Sequence, residues 1–284
     1  MSKTLITGAS GQLGQHVINF MVEKGNASDI VALVRTDEQA ESFAAKGIET
    51  RRGDYDKPET LAPAFAGIDR LLLISSSNLQ SRFPQHEAVV NAAKEAGVGF
   101  IAYTSILNAA DSPMDLALDH KQTEALIKDS GIPHTFLRNG WYSENRMMTL
   151  AQDIEMGQHF GAAGTGEFSF APRNDYAEAA AIVMLGGYDG QILELAGDKG
   201  VSLQDYAKTV SKVSGKSVNY VNLSEADLIQ GMVGAGLPEF LAKLLASTDA
   251  AVEGGALFDD SKTLSNIIGH PTSPLEDTVR AALS

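Results

Sequence analysis

The sequence predicts an α/β fold, a doubly wound parallel sheet with a smaller, mainly helical C-terminal domain. Three observations carry that expectation. Short β-rich runs alternate with helical stretches as far as Leu137, the rhythm of parallel βαβ units. The runs are continuously apolar, as strands covered on both faces are. The first run leads into a glycine-rich turn that opens a helix, Thr7-Gly8-Ala9-Ser10-Gly11-Gln12-Leu13-Gly14.

Taken in order, residues 3–7 read as a strand and 12–23 as a helix, 30–34 as a strand and 37–45 as a helix. Residues 48–51 form the third strand, followed by a helix over 58–65 with Pro58 in its first turn, where a missing N–H costs nothing. Residues 70–74 are a strand, then 84–96 a helix stopped by Gly97. Residues 100–104 are a strand, 118–130 a helix stopped by Gly131, and 134–137 the sixth strand. Beyond Asn139 the rhythm loosens to an Ala-rich helix over 176–185 and a strand over 192–195, which can return to the main sheet. Residues 1–196 are therefore expected to form the sheet domain and 197–284 the smaller helical one.

Composition removes several functional classes. A chain of 284 residues suits a main domain plus a smaller one. Lys and Arg number 22 against 36 Asp and Glu, a formal charge of −14 with no basic stripe. No attraction for nucleic acid or an anionic membrane is expected from it. There is no cysteine, which excludes disulfides, thiolate metal sites and a Cys nucleophile and is compatible with a cytoplasmic protein. The first residues reach Gly8 too early for a signal peptide. No apolar run approaches the roughly 20 residues that span a bilayer. No His, Asp or Glu pair stands at metal-ligand spacing, so no metal is expected, and no Gly-x-Ser-x-Gly elbow suggests a serine hydrolase. No heptad pattern stands out, and monomer and homodimer both stay open.

The glycine turn is the first piece of chemistry. Gly8 suits the tight turn, Gly11 lets backbone approach a pyrophosphate, and Gly14 lets the helix pack on the strand. The N–H groups and partial positive charge of the helix start then face the phosphates. Heading an alternating βα pattern, the turn points to a Rossmann-type dinucleotide site. At the end of the second strand, where NAD sites carry an acid for the ribose 2′-hydroxyl, this chain has Val34-Arg35-Thr36. Arg35 can pair with a 2′-phosphate, which favours NADPH over NADH. Asp54, after the third strand, suits either the adenine amino group or the cap of the helix at Pro58.

Longer stretches carry a family resemblance. They are the glycine turn, Ala32-Leu33-Val34-Arg35, Leu71-Leu72-Leu73-Ile74-Ser75-Ser76-Ser77, and Phe100-Ile101-Ala102-Tyr103-Thr104-Ser105. More specific are Leu137-Arg138-Asn139-Gly140-Trp141-Tyr142-Ser143-Glu144-Asn145 and Leu257-Phe258-Asp259-Asp260-Ser261-Lys262-Thr263-Leu264. In these the chain resembles the NmrA-like group of atypical short-chain dehydrogenases, above all its bacterial NAD(P)H:quinone oxidoreductase 2 type and less closely triphenylmethane reductase. The resemblance implies that Gly8, Ala9, Ser10, Gly11, Gln12 and Leu13 cradle the pyrophosphate and Arg35 holds the 2′-phosphate. It implies that Ser75, Ser76 and Ser77 line the ribose and nicotinamide. Asn139, Gly140, Trp141, Tyr142, Ser143 and Glu144 would wrap the nicotinamide, with residues 141–170 bordering the substrate cleft. Arg173 is either part of that site or a surface ion pair.

Most short-chain dehydrogenases carry a Tyr and, four residues on, a Lys on the helix after strand five. Counted back from Glu124, those positions hold Leu116 and His120. A positioned acid is worth typically ~10²–10⁴-fold when a basic alkoxide develops from a ketone. A hydroquinone anion is far less basic and takes its proton from water, and a cationic dye carbon needs no proton. The expected reaction is therefore hydride transfer from NADPH to a quinone or similar electron-poor aromatic acceptor, with no flavin required. Trp141, Tyr142 and Phe83 are candidates to line a flat slot, or are core aromatics; Tyr142 and His120 are the candidate catalytic side chains. Two alternatives remain, a reductase of triphenylmethane-type dyes and an NADP-binding redox sensor without turnover, since a sensor would also lack the Tyr and Lys.

Overall fold

The computed structural model describes residues 2–284. Its strands are β1 (Thr4–Ile6), β2 (Ile30–Val34), β3 (Glu49–Arg52), β4 (Arg70–Leu73), β5 (Phe100–Ile106), β6 (His134–Asn139), β7 (Gln158–Gly161), β8 (Glu167–Phe168), β9 (Ile192–Leu195), β10 (Val201–Ser202) and β11 (Asn219–Asn222). Seven of them make one sheet in the order β3-β2-β1-β4-β5-β6-β9, with the parallel pairing of a doubly wound fold. Strand order reverses between β1 and β4. There Thr7 Oγ1 donates to Leu72 O at 3.1 Å and accepts from Ile74 N at 3.0 Å, tying the two strand ends together.

The helices of the alternating region are α1 (Gln12–Lys24), α2 (Asp37–Ala44), α3 (Leu61–Phe65), α4 (Arg82–Glu95) and α5 (Leu116–Ser130). They form where apolar residues recur at helical spacing: Leu13, Val17, Ile18 and Met21 are the buried stripe of α1. Leu5, Val31, Leu71, Ile101 and Phe136 of the strands meet Leu61, Phe65, Val89, Val90 and Ile127 of the helices in one core. The strand expected over 192–195 is β9, and it does pair in the main sheet. The helix expected over 58–65 is a 3₁₀ turn, Pro58–Thr60, followed by α3, since Pro63 denies α3 one backbone donor.

Later come α6 (Ser143–Arg146), α7 (Leu150–Met156), α8 (Arg173–Leu185), α9 (Leu203–Ser214), α10 (Glu225–Gly234), α11 (Glu239–Val252), α12 (Thr263–Ile268) and α13 (Leu275–Ala282). The chain divides into two compact units. The first is Met1–Ile106, Asp119–Arg138 and Tyr176–Leu193; the second is Leu107–Leu118, Asn139–Asp175 and Glu194–Ser284. This differs from the division expected at residue 196, because middle segments of the chain bond to its C-terminal part. Asn108 N donates to Glu194, Ser169 Oγ donates to Asp259 O at 2.9 Å, Arg146 pairs with Asp249, and Ser273 N donates to Asp175 at 2.7 Å. Beside its helices the second unit carries a parallel β7–β11 pair and an antiparallel β8–β10 pair.

Candidate active site

In the first unit the turn after β1 has the geometry its glycines imply. Gly8 adopts φ +59°, and a Cβ on Gly14 would stand 2.3 Å from Gly8 O and 2.8 Å from Ala9 Cα. Gly14 is thus what lets α1 lie against the turn. A Cβ on Gly11 would meet only Gly8 O, at 3.1 Å. Ala9 and Leu13 are buried, Ser10 is half-buried, and Gly8, Gly11 and Gln12 are exposed. The helix start has neither a side-chain cap nor an acid in its first turn. Its N–H groups are therefore left for an anion.

Arg35 follows β2 and is exposed. Its backbone N donates to Gln39 Oε1 at 2.9 Å, and Thr36 Oγ1 caps α2 by accepting from Gln39 N at 3.2 Å. These bonds fix the main chain, while among the described residues the guanidinium has no hydrogen bond or ion pair. Asp37, the acid that would repel a phosphate, lies 3.7 Å from Arg52. Asp54 does not cap a helix: its Oδ1 accepts from Asp56 N at 3.2 Å.

Ser75 follows β4. Its N–H donates to Thr104 Oγ1 at 2.8 Å, and its buried Oγ has no partner. Ser76 is half-buried and Ser77 exposed. Tyr55 Oη, after β3, is a second unpartnered buried atom, and burial pushes that phenol far above its ordinary pKa.

In the second unit, residues 139–145 and the start of α8 hold one another. Gly140 N donates to Leu195 O at 2.7 Å and Ser143 N to Ala171 O at 2.9 Å. The Glu144 carboxylate accepts from Arg173 N at 3.0 and 3.2 Å, placing negative charge at the positive end of α8. Arg173 Nη2 donates to Asn145 Oδ1 at 2.6 Å, and its guanidinium lies 4.8 Å over the Tyr142 ring. Asn139 Nδ2 donates to Tyr142 Oη at 3.3 Å. Burial raises the Tyr142 phenol above its ordinary range, with Asn139 and Arg173 partly offsetting the shift. At neutral pH it is therefore a protonated donor. Asn139 Oδ1 and Ser143 Oγ are buried without partners. Trp141 is half-buried.

His120 is neither solvated nor a cap. It is buried in the first unit, its Nδ1 2.7 Å from Tyr103 Oη. Burial drives its pKa well below the ordinary value, so the ring is neutral. Tyr103, fully buried, is pushed upward in turn. Beside it lie His86, with ring centroids 5.4 Å apart, and the pair formed by Glu124 and Arg138, at 2.7 and 2.8 Å. Reading the sequence residue by residue missed Tyr103 and His86. A signal existed: His120, Thr123, Glu124 and Ile127 recur at helical spacing and are all buried, so the inner face of α5 is partly polar.

These features suit a dinucleotide phosphate. A cradle that a Cβ would crowd, an arginine after β2 whose guanidinium is unpaired among the described residues, and orphaned oxygens on Ser75 after β4 and on Asn139 at the end of β6 offer donors and acceptors without internal partners. Among the described residues no group of three His, Asp or Glu side chains is arranged for a metal ion. No helix there is long and apolar enough to cross a membrane.

The fold and this site define a member of the NmrA-like family, to which the chain belongs; the family's sequence model matches residues 1–272. The chain is 50% identical over 275 residues to quinone oxidoreductase 2 of Escherichia coli, covering 96% of each. Among solved structures it is similar to the NADPH-dependent quinone oxidoreductase of Escherichia coli in complex with NADPH, with TM-score 0.97, 49% identity, and 99% and 100% of the two chains covered. It also resembles the Citrobacter sp. triphenylmethane reductase complexed with NADP(H), with TM-score 0.93, 37% identity, and 99% and 100% covered.

Proposed function

We propose that this protein is an NADPH-dependent quinone reductase that passes hydride directly to a quinone and yields the hydroquinone, without flavin or metal. The observation that carries the reading is the set of polar groups left without internal partners after β2, β4 and β6, in a chain half identical to a quinone oxidoreductase. NADPH, when bound, supplies the hydride.

The residues of the chain bind and orient. The turn from Gly8 to Leu13 would receive the pyrophosphate, with the N–H groups at the start of α1 free for it and that of Gly11 spent on Gly8 O, and Arg35 would take the 2′-phosphate. Ser75 Oγ and Asn139 Oδ1 are the hydrogen-bonding groups for the ribose and nicotinamide. Residues 140–144 and Arg173 are the second unit's candidates for the nicotinamide, with Tyr142 held by Asn139 and the Arg173 guanidinium. Trp141 and Tyr142 supply flat apolar surface for an aromatic acceptor, and alignment at near-attack distance does most of the catalytic work. The product anion takes its proton from water or from the Tyr142 hydroxyl, which burial keeps protonated. NADPH, an intracellular reductant, fits a cytoplasmic location.

Triphenylmethane-type dyes are the second reading, supported by the Citrobacter structure, because hydride addition to a cationic carbon needs the same alignment and no acid. The test is NADPH absorbance decay with and without a simple benzoquinone. Quinone-dependent oxidation, slower with NADH, supports the proposal. Tight NADPH binding with no turnover on any quinone or dye moves the weight to a redox sensor.

A further inference from the structure

Ser76 is held by all three of its polar groups: its hydroxyl accepts from Asn78 N at 3.1 Å within the turn, and three further bonds run to α4. Its N–H donates to His86 Nε2 at 2.9 Å. Its hydroxyl donates to Gln85 Oε1. Its carbonyl accepts from Arg82 Nε at 2.9 Å. Arg82, Gln85 and His86 are 7%, 6% and 0% exposed, so this is a built, desolvated arrangement rather than surface contacts.

The bonds also settle the histidine tautomer. A backbone N–H can only donate, so His86 Nε2 is the acceptor and Nδ1 carries the proton. Nδ1 lies 2.9 Å from Thr123 Oγ1, which passes its own proton to Asp119 O at 2.7 Å. Gln85 is fixed likewise, its Nε2 donating to Asp56 Oδ1 at 2.7 Å. The neighbouring Ser75 has its N–H spent on Thr104 but keeps a buried, unpartnered Oγ.

We propose that Arg82, Gln85 and His86 are positioning residues that lock Ser76 so that the Ser75 hydroxyl is presented to the nicotinamide-side ribose at the geometry hydride transfer needs. The inference rests on the reading of the Ser75–Ser77 turn as cofactor-lining. Ser76 is then the anchor of the turn and Ser75 its working residue. Burial, with Arg82 nearby, pushes His86 down to a pKa of about 3, so Nε2 is an acceptor at neutral pH. Affinity for NADPH comes mainly from the phosphates, so loosening the lock affects the rate more than binding.

The test uses the full chain with His86→Phe, His86→Gln, Arg82→Met and Ser75→Ala. Titration calorimetry gives the Kd for NADPH, single-turnover mixing with benzoquinone gives the hydride-transfer rate, and amide exchange is read at Ser76. For His86→Phe and Arg82→Met the rate falls roughly 10- to 100-fold while Kd changes by less than about 3-fold, the signature of misplacement without lost binding. His86→Phe also loses Ser76 amide protection. His86→Gln, whose amide oxygen can accept the same N–H, restores both. Arg82→Met alone decides the matter if His86→Phe does not fold. If Ser75→Ala leaves Kd and rate unchanged, the cofactor reading of the turn fails. If Ser75→Ala slows transfer but the His86 and Arg82 variants do not, or if Kd and rate fall together without rescue by glutamine, the positioning role is overturned.

Discussion

In the proposed site Arg35 is the residue assigned to the 2′-phosphate and so to cofactor choice. Its backbone is fixed by Gln39 and its guanidinium has no partner among the described residues, so removing it disturbs nothing internal. A charge-assisted hydrogen bond is worth about 1.5–3 kcal/mol, so Arg35→Ala should raise the Kd for NADPH roughly 10- to 100-fold and leave that for NADH nearly unchanged. Calorimetry with both cofactors checks this, and equal losses would remove the 2′-phosphate assignment. At the same scale, Tyr142→Phe deletes only the hydroxyl that Asn139 contacts. If water can supply the proton, kcat with benzoquinone falls less than about 10-fold, well short of the loss expected for a true general acid. Gly14 was legible in the sequence because its type is dictated by a backbone clash that any Cβ would meet. His120 was singled out by spacing, but its partner was not. Tyr103 lies on another element, and only the β5–α5 packing brings its hydroxyl to Nδ1.

Among elements, α5 joins the sheet through a buried ion pair. Arg138 Nε and Nη2 donate to the two Glu124 oxygens, and Ser105 Oγ donates to Oε1 at 2.7 Å. Removing one partner strands a buried charge, so Glu124→Ala should cost about 3–5 kcal/mol by denaturant unfolding. Replacing both, Glu124→Leu with Arg138→Met, should cost much less, and equal costs would contradict the pairing. Strands and helices up to β6 were legible because hydrophobic period and glycine stops agree with the final packing. After Asn139 only α8 and β9 keep that agreement. Residues 139–145 are shaped by bonds to Ala171, Arg173 and Leu195, all distant in sequence, so local pattern carries no trace of them.

For the whole molecule, the two units show what a linear division misses: segments on both sides of β6 belong with the C-terminal helices. The buried histidines leave a global mark as well. His86 and His120 are held neutral, with folded-state pKa values below the unfolded value near 6.5. The unfolded chain thus binds protons that the folded chain refuses, and stability falls as pH drops from about 7 towards 5. Urea unfolding at pH 7 and pH 5 should show that loss, and His86→Gln should reduce it by the share of one proton. A pH-independent difference between native and variant would contradict the burial of a neutral His86.

The most direct measurement is an anaerobic single turnover of flavin-free protein with one equivalent each of NADPH deuterated at the transferring position and benzoquinone. Direct hydride transfer gives one equivalent of hydroquinone, with transfer slowed by the deuterium. Turnover that appears only when flavin is added, or NADPH that stays bound and unoxidised, would contradict it.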